Sequence, residues 1–269
     1  MRALCLSLVL LLAAAPAWAN ARVTVLMDVL QIDEVVDILR AEGFAHAEVL
    51  NEDILDGRGG AFWESQIRQI YTAEQISERI RKALSEGLSP EEIDIVIDVY
   101  SKPEMSRIIT LENAARRAMA DAEVEEAARD AYETAVDQEL AHLKLVNEFI
   151  AVNGLIDRNL SGTMSAYIQF YTGLSDGRFM VQSEADILEE VWSQQDAILE
   201  DTSGWLKGFL FMAYQPLSIE VLEAHVAFSS SSVGQTLNAA LFDGFESVNL
   251  DISYALGRAV ALNAEDDEI

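Results

Sequence analysis

The feature that most constrains this chain is a segment written twice. Leu88–Ser89–Pro90–Glu91–Glu92–Ile93, running on through Val99–Tyr100 and Pro103 to Met105, has a counterpart downstream. That counterpart is Leu217–Ser218–Ile219–Glu220–Val221–Leu222, running on through Phe228 to Gly234. Every matched residue stands 129 positions from its partner without a gap (88 against 217, 105 against 234). Ser89 matches Ser218, Glu91 matches Glu220, Ile97 matches Val226 and Ile108 matches Leu237. A unit repeated at a fixed offset implies one supersecondary element used twice.

Each copy reads as a helix, a tight turn and a second helix. In the first copy Ser89 suits the N-cap, Pro90 the first helical position, and Glu92 completes a capping box. Pro103 disfavours the α conformation in Lys102, so the first helix should stop near Ser101 and the next begin at Pro103. Ile93–Val99 also alternates like a strand and is rich in β-branched residues. Helix is the reading taken, because the start signals lie immediately upstream and Val221–Phe228 does not alternate. A third, weaker echo from Ala166–Tyr171 to Gly177 does not register cleanly.

The pattern is Leu-Ser, acidic residues, an apolar helix, aromatics, a short turn and then Gly. It resembles the exported bacterial domain of unknown function 2059 family, on Leu217, Ser218, Glu220, Phe228, Gly234 and Gln235, with Leu88, Ser89, Glu91, Tyr100 and Pro103 repeating part of it. The chain departs from that pattern at Ser232, Met105 and Ser229, where the family often has Pro, Gly and a second aromatic. The resemblance implies a helical, exported fold and carries no activity.

Export is also read from the N-terminus. Met1–Arg2, the apolar run Leu4–Ala15 and Ala17–Trp18–Ala19 form a charged n-region, an h-region and an A-x-A cleavage site. Cleavage is expected after Ala19, so residues 1–19 are a signal peptide and the protein is periplasmic, in a Gram-negative cell. The sole cysteine, Cys5, leaves with it, which excludes disulfides, thiolate zinc sites and cysteine nucleophiles from the mature chain. Net charge is −28, one unit more negative once Arg2 is removed. Such a surface repels nucleic acid and anionic membranes and attracts cations.

Along the chain, Val23–Gly43 reads as an amphipathic helix with Gly43 as its C-cap, followed by a shorter helix over Ala45–Leu55. Glu52, Asp53 and Asp56 before Gly57 invite a calcium-loop reading. The spacing fails, with Ile54 at the third-ligand position and Trp63 where the final Glu belongs. Thr72 and Gln75 stand at capping-box spacing, and Gly87 is a terminator. Between Pro103 and Gly154 there is neither Pro nor Gly, and opposite charges fall at i, i+4: Glu112 with Arg116, Glu125 with Arg129, Arg129 with Glu133. Residues 121–153 are therefore the expected connecting helix, with a break near Asp121 equally open. Helices are expected at about Leu155–Thr172 and Glu184–Asp201. Trp205 to Tyr214 is the most apolar run, too short to span a bilayer and interrupted by Lys207. It reads as a core helix, or alternatively as a groove for an apolar ligand or partner helix.

The expected architecture is all-α, two lobes of helical hairpins related by an internal duplication and joined by a long charged helical segment. The first lobe spans residues 20–120 with its repeat unit at 88–115. The second spans 154–263 with its unit at 217–245, and residues 264–269 form an acidic, disordered tail.

Chemistry is sparse. No nucleophile elbow and no Gly-rich phosphate loop is present. Glu139–Leu140–Ala141–His142 is a Glu-x-x-His pair, but di-iron helical proteins use two such pairs with two further glutamates. His225 replaces Val96 in the repeat and should sit half-buried, either as a core histidine with one hydrogen bond or as a pH-sensitive or ligand-contacting group. His225, Trp205, Phe209, Tyr214, Glu139 and His142 are the candidates for ligand or partner contact. No catalytic residue, cofactor or metal ligand is assigned. The function expected is a non-enzymatic structural or interaction module acting on another cell-envelope protein. The alternative is a periplasmic binder of a small ligand or divalent cation, and a metal enzyme at Glu139 and His142 stands third. No nucleic-acid partner and no stable membrane insertion after signal cleavage are expected.

Overall fold

Ser89 caps its helix as the sequence requires. Its Oγ accepts from the Glu92 N–H at 3.3 Å, and the Glu92 carboxylate accepts from the Ser89 N–H at 2.8 Å. The structure is a computed structural model that describes residues 21–138, 140–180 and 182–264. The expected signal peptide, Glu139 and the tail beyond Ala264 lie outside the described residues.

The described residues form helices and no strand. In chain order these are α1 (residues 21–29), α2 (Ile32–Leu55), α3 (Gly60–Ile70), α4 (Ala73–Gly87), α5 (Pro90–Tyr100), α6 (Pro103–Ala118) and α7 (Ala122–Asp137). They continue as α8 (Ala141–Asn153), α9 (Leu155–Asp176), α10 (Glu184–Ser193), α11 (Gln195–Tyr214), α12 (Ile219–Ser229) and α13 (Ser232–Ala264). No helix among them is long and apolar enough to cross a membrane.

The all-α class stands, and the two matched segments have matched boundaries. Both α5 and α12 have 11 residues, and their starts and ends, like the starts of the helices that follow them, keep the offset of the sequence. Ile93 and Leu222 are buried at equivalent positions, as are Val96 and His225, and Ile108 and Leu237. The second helices then differ, since α6 has 16 residues and α13 has 33.

That length has a consequence for the expected lobes. One hydrophobic cluster runs from Val23 to Val260, so the two halves do not keep separate cores. Helix α13 lies parallel to α9 within its own half and also packs along α4 of the other half. Small residues let it do both. A Cβ on Gly257 would collide with the Phe170 carbonyl, and one on Gly87 would stand 2.7 Å from the Ala240 Cβ. At the far end the Asn263 amide donates to Gln66 Oε1 at 2.6 Å.

The connecting segment is not one helix. It breaks at Met119–Asp121, where Asp121 caps α7 by accepting from the Glu123 N–H at 2.9 Å, and again at Gln138–Leu140. Nor is it a free strut, because α7 packs on α11 through Ala128, Tyr132 and Ala135, and α8 packs on α12. Two of its expected ion pairs change partners. Arg129 bonds Glu125 at 2.7 Å but takes Asp201 of α11 rather than Glu133, while Arg116 reaches back to Glu42 of α2 rather than to Glu112.

Other boundaries shift for local reasons. The N-terminal helix breaks at Gln31, which adopts φ 51°, and α2 then runs through Gly43 without stopping. Gly43 is a site of close approach, since a Cβ there would overlap the ring of Tyr71. Helix α2 ends instead at Asp56, in the left-handed region, with the Gly57 N–H donating to the Asn51 carbonyl at 2.9 Å. Thr72 forms no capping box, because its hydroxyl donates to the Gln69 carbonyl at 2.7 Å. The helix expected over Glu184–Asp201 is divided at Gln194 into α10 and α11, and the third echo lies inside the single helix α9.

Candidate functional site

A deep concavity lies between α2, α9 and α13. On α13, Asn238, Leu241, Phe245, Asn249, Ile252 and Leu256 recur three or four residues apart and so share one face. Helix α9 presents Arg158, Asn159, Gly162, Ala166 and Phe170 to the same space, and α2 presents Leu39, Glu42, His46 and Leu50. The cleft encloses about 940 Å³. Glycine contacts at Gly173 and Gly257 hold α9 and α13 together at one end, and the larger side chains before them leave room at the other. The Arg158 guanidinium lies 5.1 Å from the centre of the Phe242 ring in the cleft wall.

A smaller cavity of about 240 Å³ adjoins it, and the two share Arg116, Asn238, Leu241 and Phe245 as lining. The floor of this inner cavity is built by four elements. Helix α6 places Glu112, α5 places Tyr100, α8 places Phe149, and α12 places His225 and Phe228. Behind them, the Tyr214 hydroxyl of α11 donates to Glu112 Oε1 at 2.5 Å and lies 3.3 Å from His225 Nε2. The imidazole stacks on Phe149 with ring centres 4.7 Å apart, and Tyr100 meets Phe228 edge-on at 5.5 Å.

Electrostatics follow from this apolar setting. Glu112 keeps about 28% of its side-chain surface open, yet the groups around it are mostly rings and aliphatic chains. Desolvation pushes its carboxyl up to about 7, against a smaller opposing effect of the Tyr214 hydrogen bond. Burial pushes the His225 imidazole down to about 4, so it is neutral near pH 7. The Tyr100 and Tyr214 hydroxyls are both pushed up, by burial first and the neighbouring Glu112 second. His225 Nδ1 is buried without a hydrogen-bond partner. With Tyr214 donating to Glu112, Nε2 is the ring nitrogen that carries the proton toward the Tyr214 oxygen. Nδ1 is then the bare acceptor.

The candidates read from sequence divide accordingly. Tyr214 and His225 come together. Trp205 and Phe209 do not join them; their rings stack on each other at 4.9 Å on α11 and line neither of these two cavities. His142 Nε2 donates to the Leu217 carbonyl at 2.8 Å, so the ring is used to join α8 to the start of the second repeat unit. Among the described residues no three His, Cys, Asp or Glu side chains converge as a cation site. His225 is fully buried rather than half-buried, and its titration is displaced well below neutrality.

Glu112 was missed. Its signal lay in register: Met105, Ile108, Ile109 and Asn113 are the buried stripe of α6, and Glu112 stands among them at helical spacing. A carboxylate inside an apolar stripe marks a buried charge. The i, i+4 pairing with Arg116 offered a surface explanation that hid it.

Compared with protein-family models, curated proteins and solved structures, the chain matches none.

Proposed function

We propose that this is an exported, non-enzymatic binding protein that holds a small apolar molecule in the cleft between α2, α9 and α13. The observation that carries the reading is the cleft itself. Its volume of about 940 Å³ lies near the upper end of small-molecule sites, and its walls join rings and aliphatic chains, among them Leu39, Phe170, Leu241 and Phe245, to polar side chains such as Asn159, Asn238 and Asn249. Export rests on the leader read from the sequence and on the resemblance to an exported helical family. Between the first two readings the sequence offered, the cleft favours the small-ligand binder over the interaction module. A concave cleft of this size suits one molecule better than a protein face, whose stable contacts need a broad surface. Within the ligand reading it favours an apolar molecule over a divalent cation, since the lining supplies rings rather than converging carboxylates.

The test uses Gly162. It lines the cleft, and a Cβ built there meets nothing within 4 Å. Gly162→Trp should therefore fill the cleft without disturbing the helix. Nile red, a neutral apolar dye, should brighten on binding the native chain and lose most of that signal with Gly162→Trp at unchanged helix content. A dye signal that is absent from the native protein, or insensitive to the substitution, would sink the reading.

A further inference from the structure

The inner cavity has a chemistry of its own. One carboxylate, Glu112, stands at its floor, and its Oε1 already accepts the Tyr214 hydroxyl. Oε2 has no hydrogen-bond partner among the described residues, while the side chain keeps surface open to the cavity. Aromatic rings from four helices, Tyr100, Phe149, Phe228 and Phe245, line the same space. The one cation in the lining, Arg116, is neutralised from outside by two bonds to Glu42, at 2.9 and 2.8 Å. A single anionic acceptor among aromatic faces is a setting that selects an organic cation, through a charge-assisted hydrogen bond and the negative faces of the rings. The strongly negative protein would also concentrate cations around itself.

We propose that the inner cavity is a binding site for an alkylammonium group, with the ammonium donating to Glu112 and its chain against the aromatic and aliphatic walls. The site adjoins the cleft and shares part of its wall, but its acceptor, Glu112, lines the inner cavity and not the cleft. Its aliphatic wall includes Leu30, Ile32 and Ile109, enough for a short chain. Ligand affinity should follow the charge on Glu112. The groups facing Glu112 are Tyr100 of α5, Arg116 of its own helix with its partner Glu42 on α2, Tyr214 of α11 and His225 of α12. Burial keeps both tyrosines protonated and the imidazole neutral near pH 7, so Glu112 is the member of the cluster that titrates there.

Calorimetric titration of the purified chain with hexylamine, hexanol and hexanoate tests this. At about pH 8, hexylamine should bind about tenfold more tightly than hexanol, and hexanoate more weakly than either. The preference for the amine should shrink as pH is lowered through about 7, because Glu112 takes up its proton. Glu112→Gln should abolish the preference and leave hexanol binding in place. Equal affinities, a tighter hexanoate, binding by none of the three, or a preference that survives Glu112→Gln would overturn the proposal. Should that variant fail to fold, the pH series on the unaltered chain decides, and a preference that does not fall below pH 7 overturns it. The Nile red result with Gly162→Trp stands apart, so failure of the inner site and failure of the cleft remain distinguishable.

Discussion

The Glu112 carboxylate accepts the Tyr214 hydroxyl at 2.5 Å across a sequence separation of 102 residues, tying α6 to α11 behind the inner cavity. This contact has a measurable pH signature. The folded protein holds the Glu112 proton up to about pH 7, whereas an unfolded chain releases it near the ordinary carboxylate value. Stability linked to this group is therefore greatest below the ordinary value and falls as pH rises through about 7. Glu112→Gln removes the titration while keeping the shape and an acceptor for Tyr214. Melting curves should show the variant more stable than wild type by about 1–3 kcal/mol at pH 8.5, with the gap closing near pH 5. A gap of equal size at both pH values would contradict the assignment.

His225 acts with the opposite sign. Its folded value near 4 lies below the ordinary imidazole value, so the unfolded chain takes up a proton first as pH falls. The penalty on the fold begins near the ordinary value and is complete as pH falls through about 4. His225→Val restores the residue that Val96 supplies in the matched segment, at the cost of one hydrogen bond at 3.3 Å and the stack on Phe149. Near pH 7.5 the variant should be close to neutral in stability. Near pH 5 it should gain roughly 2 kcal/mol over wild type, because the buried site no longer excludes a proton. Chemical denaturation at the two pH values checks this, and a variant that loses stability equally at both would show that the hydrogen bond outweighs the burial.

Gly234 and Gly162 make a matched pair of helical glycines. A Cβ on Gly234 would run into the Phe228 carbonyl and lie 2.8 Å from the Ser229 Cα, which is backbone and cannot swing away. Gly234→Leu should lower stability by about 1–3 kcal/mol or more through overpacking of the α12–α13 turn. Gly162→Ala meets open space and should raise it by about 0.5–1 kcal/mol through helix propensity alone. Thermal melts of the two variants should move in opposite directions; an unshifted Gly234→Leu would mean the turn can open without cost.

What could be read beforehand followed the range of the interactions. Ser89, Pro90 and Glu92 fix the start of α5 by contacts within one turn, so that start was legible. His225 was legible as buried because the matched segment supplied Val96 as a reference. The sequence did not show that Gly43 receives the ring of Tyr71, or that Arg116 bonds Glu42 rather than Glu112. Those choices depend on which helices become neighbours, and local preference carries no such information. The same reason hid the cleft: α2, α9 and α13 are far apart in sequence, and their cleft-lining residues carry no local mark of it before the three helices meet.

The closed end of that cleft yields a prediction about coupling. Gly173 of α9 and Gly257 of α13 face each other so closely that a Cβ on either would stand 3.1 Å from the other's Cα. On Gly173 that Cβ would also strike the Tyr254 carbonyl, and on Gly257 the Phe170 carbonyl. These are backbone obstacles on both sides, so a side chain can be admitted only by moving one helix away from the other. Either Gly173→Ala or Gly257→Ala should therefore cost about 1–3 kcal/mol, despite the better helix propensity of alanine. Once one substitution has driven the helices apart, the second enters a gap already opened. The double variant should lose clearly less than the sum of the two single losses, with a coupling of about 0.5–3 kcal/mol. Denaturant unfolding of the two single variants and the double variant closes the cycle. Additive losses would mean that the two glycines are accommodated separately and that α9 and α13 do not move as rigid neighbours.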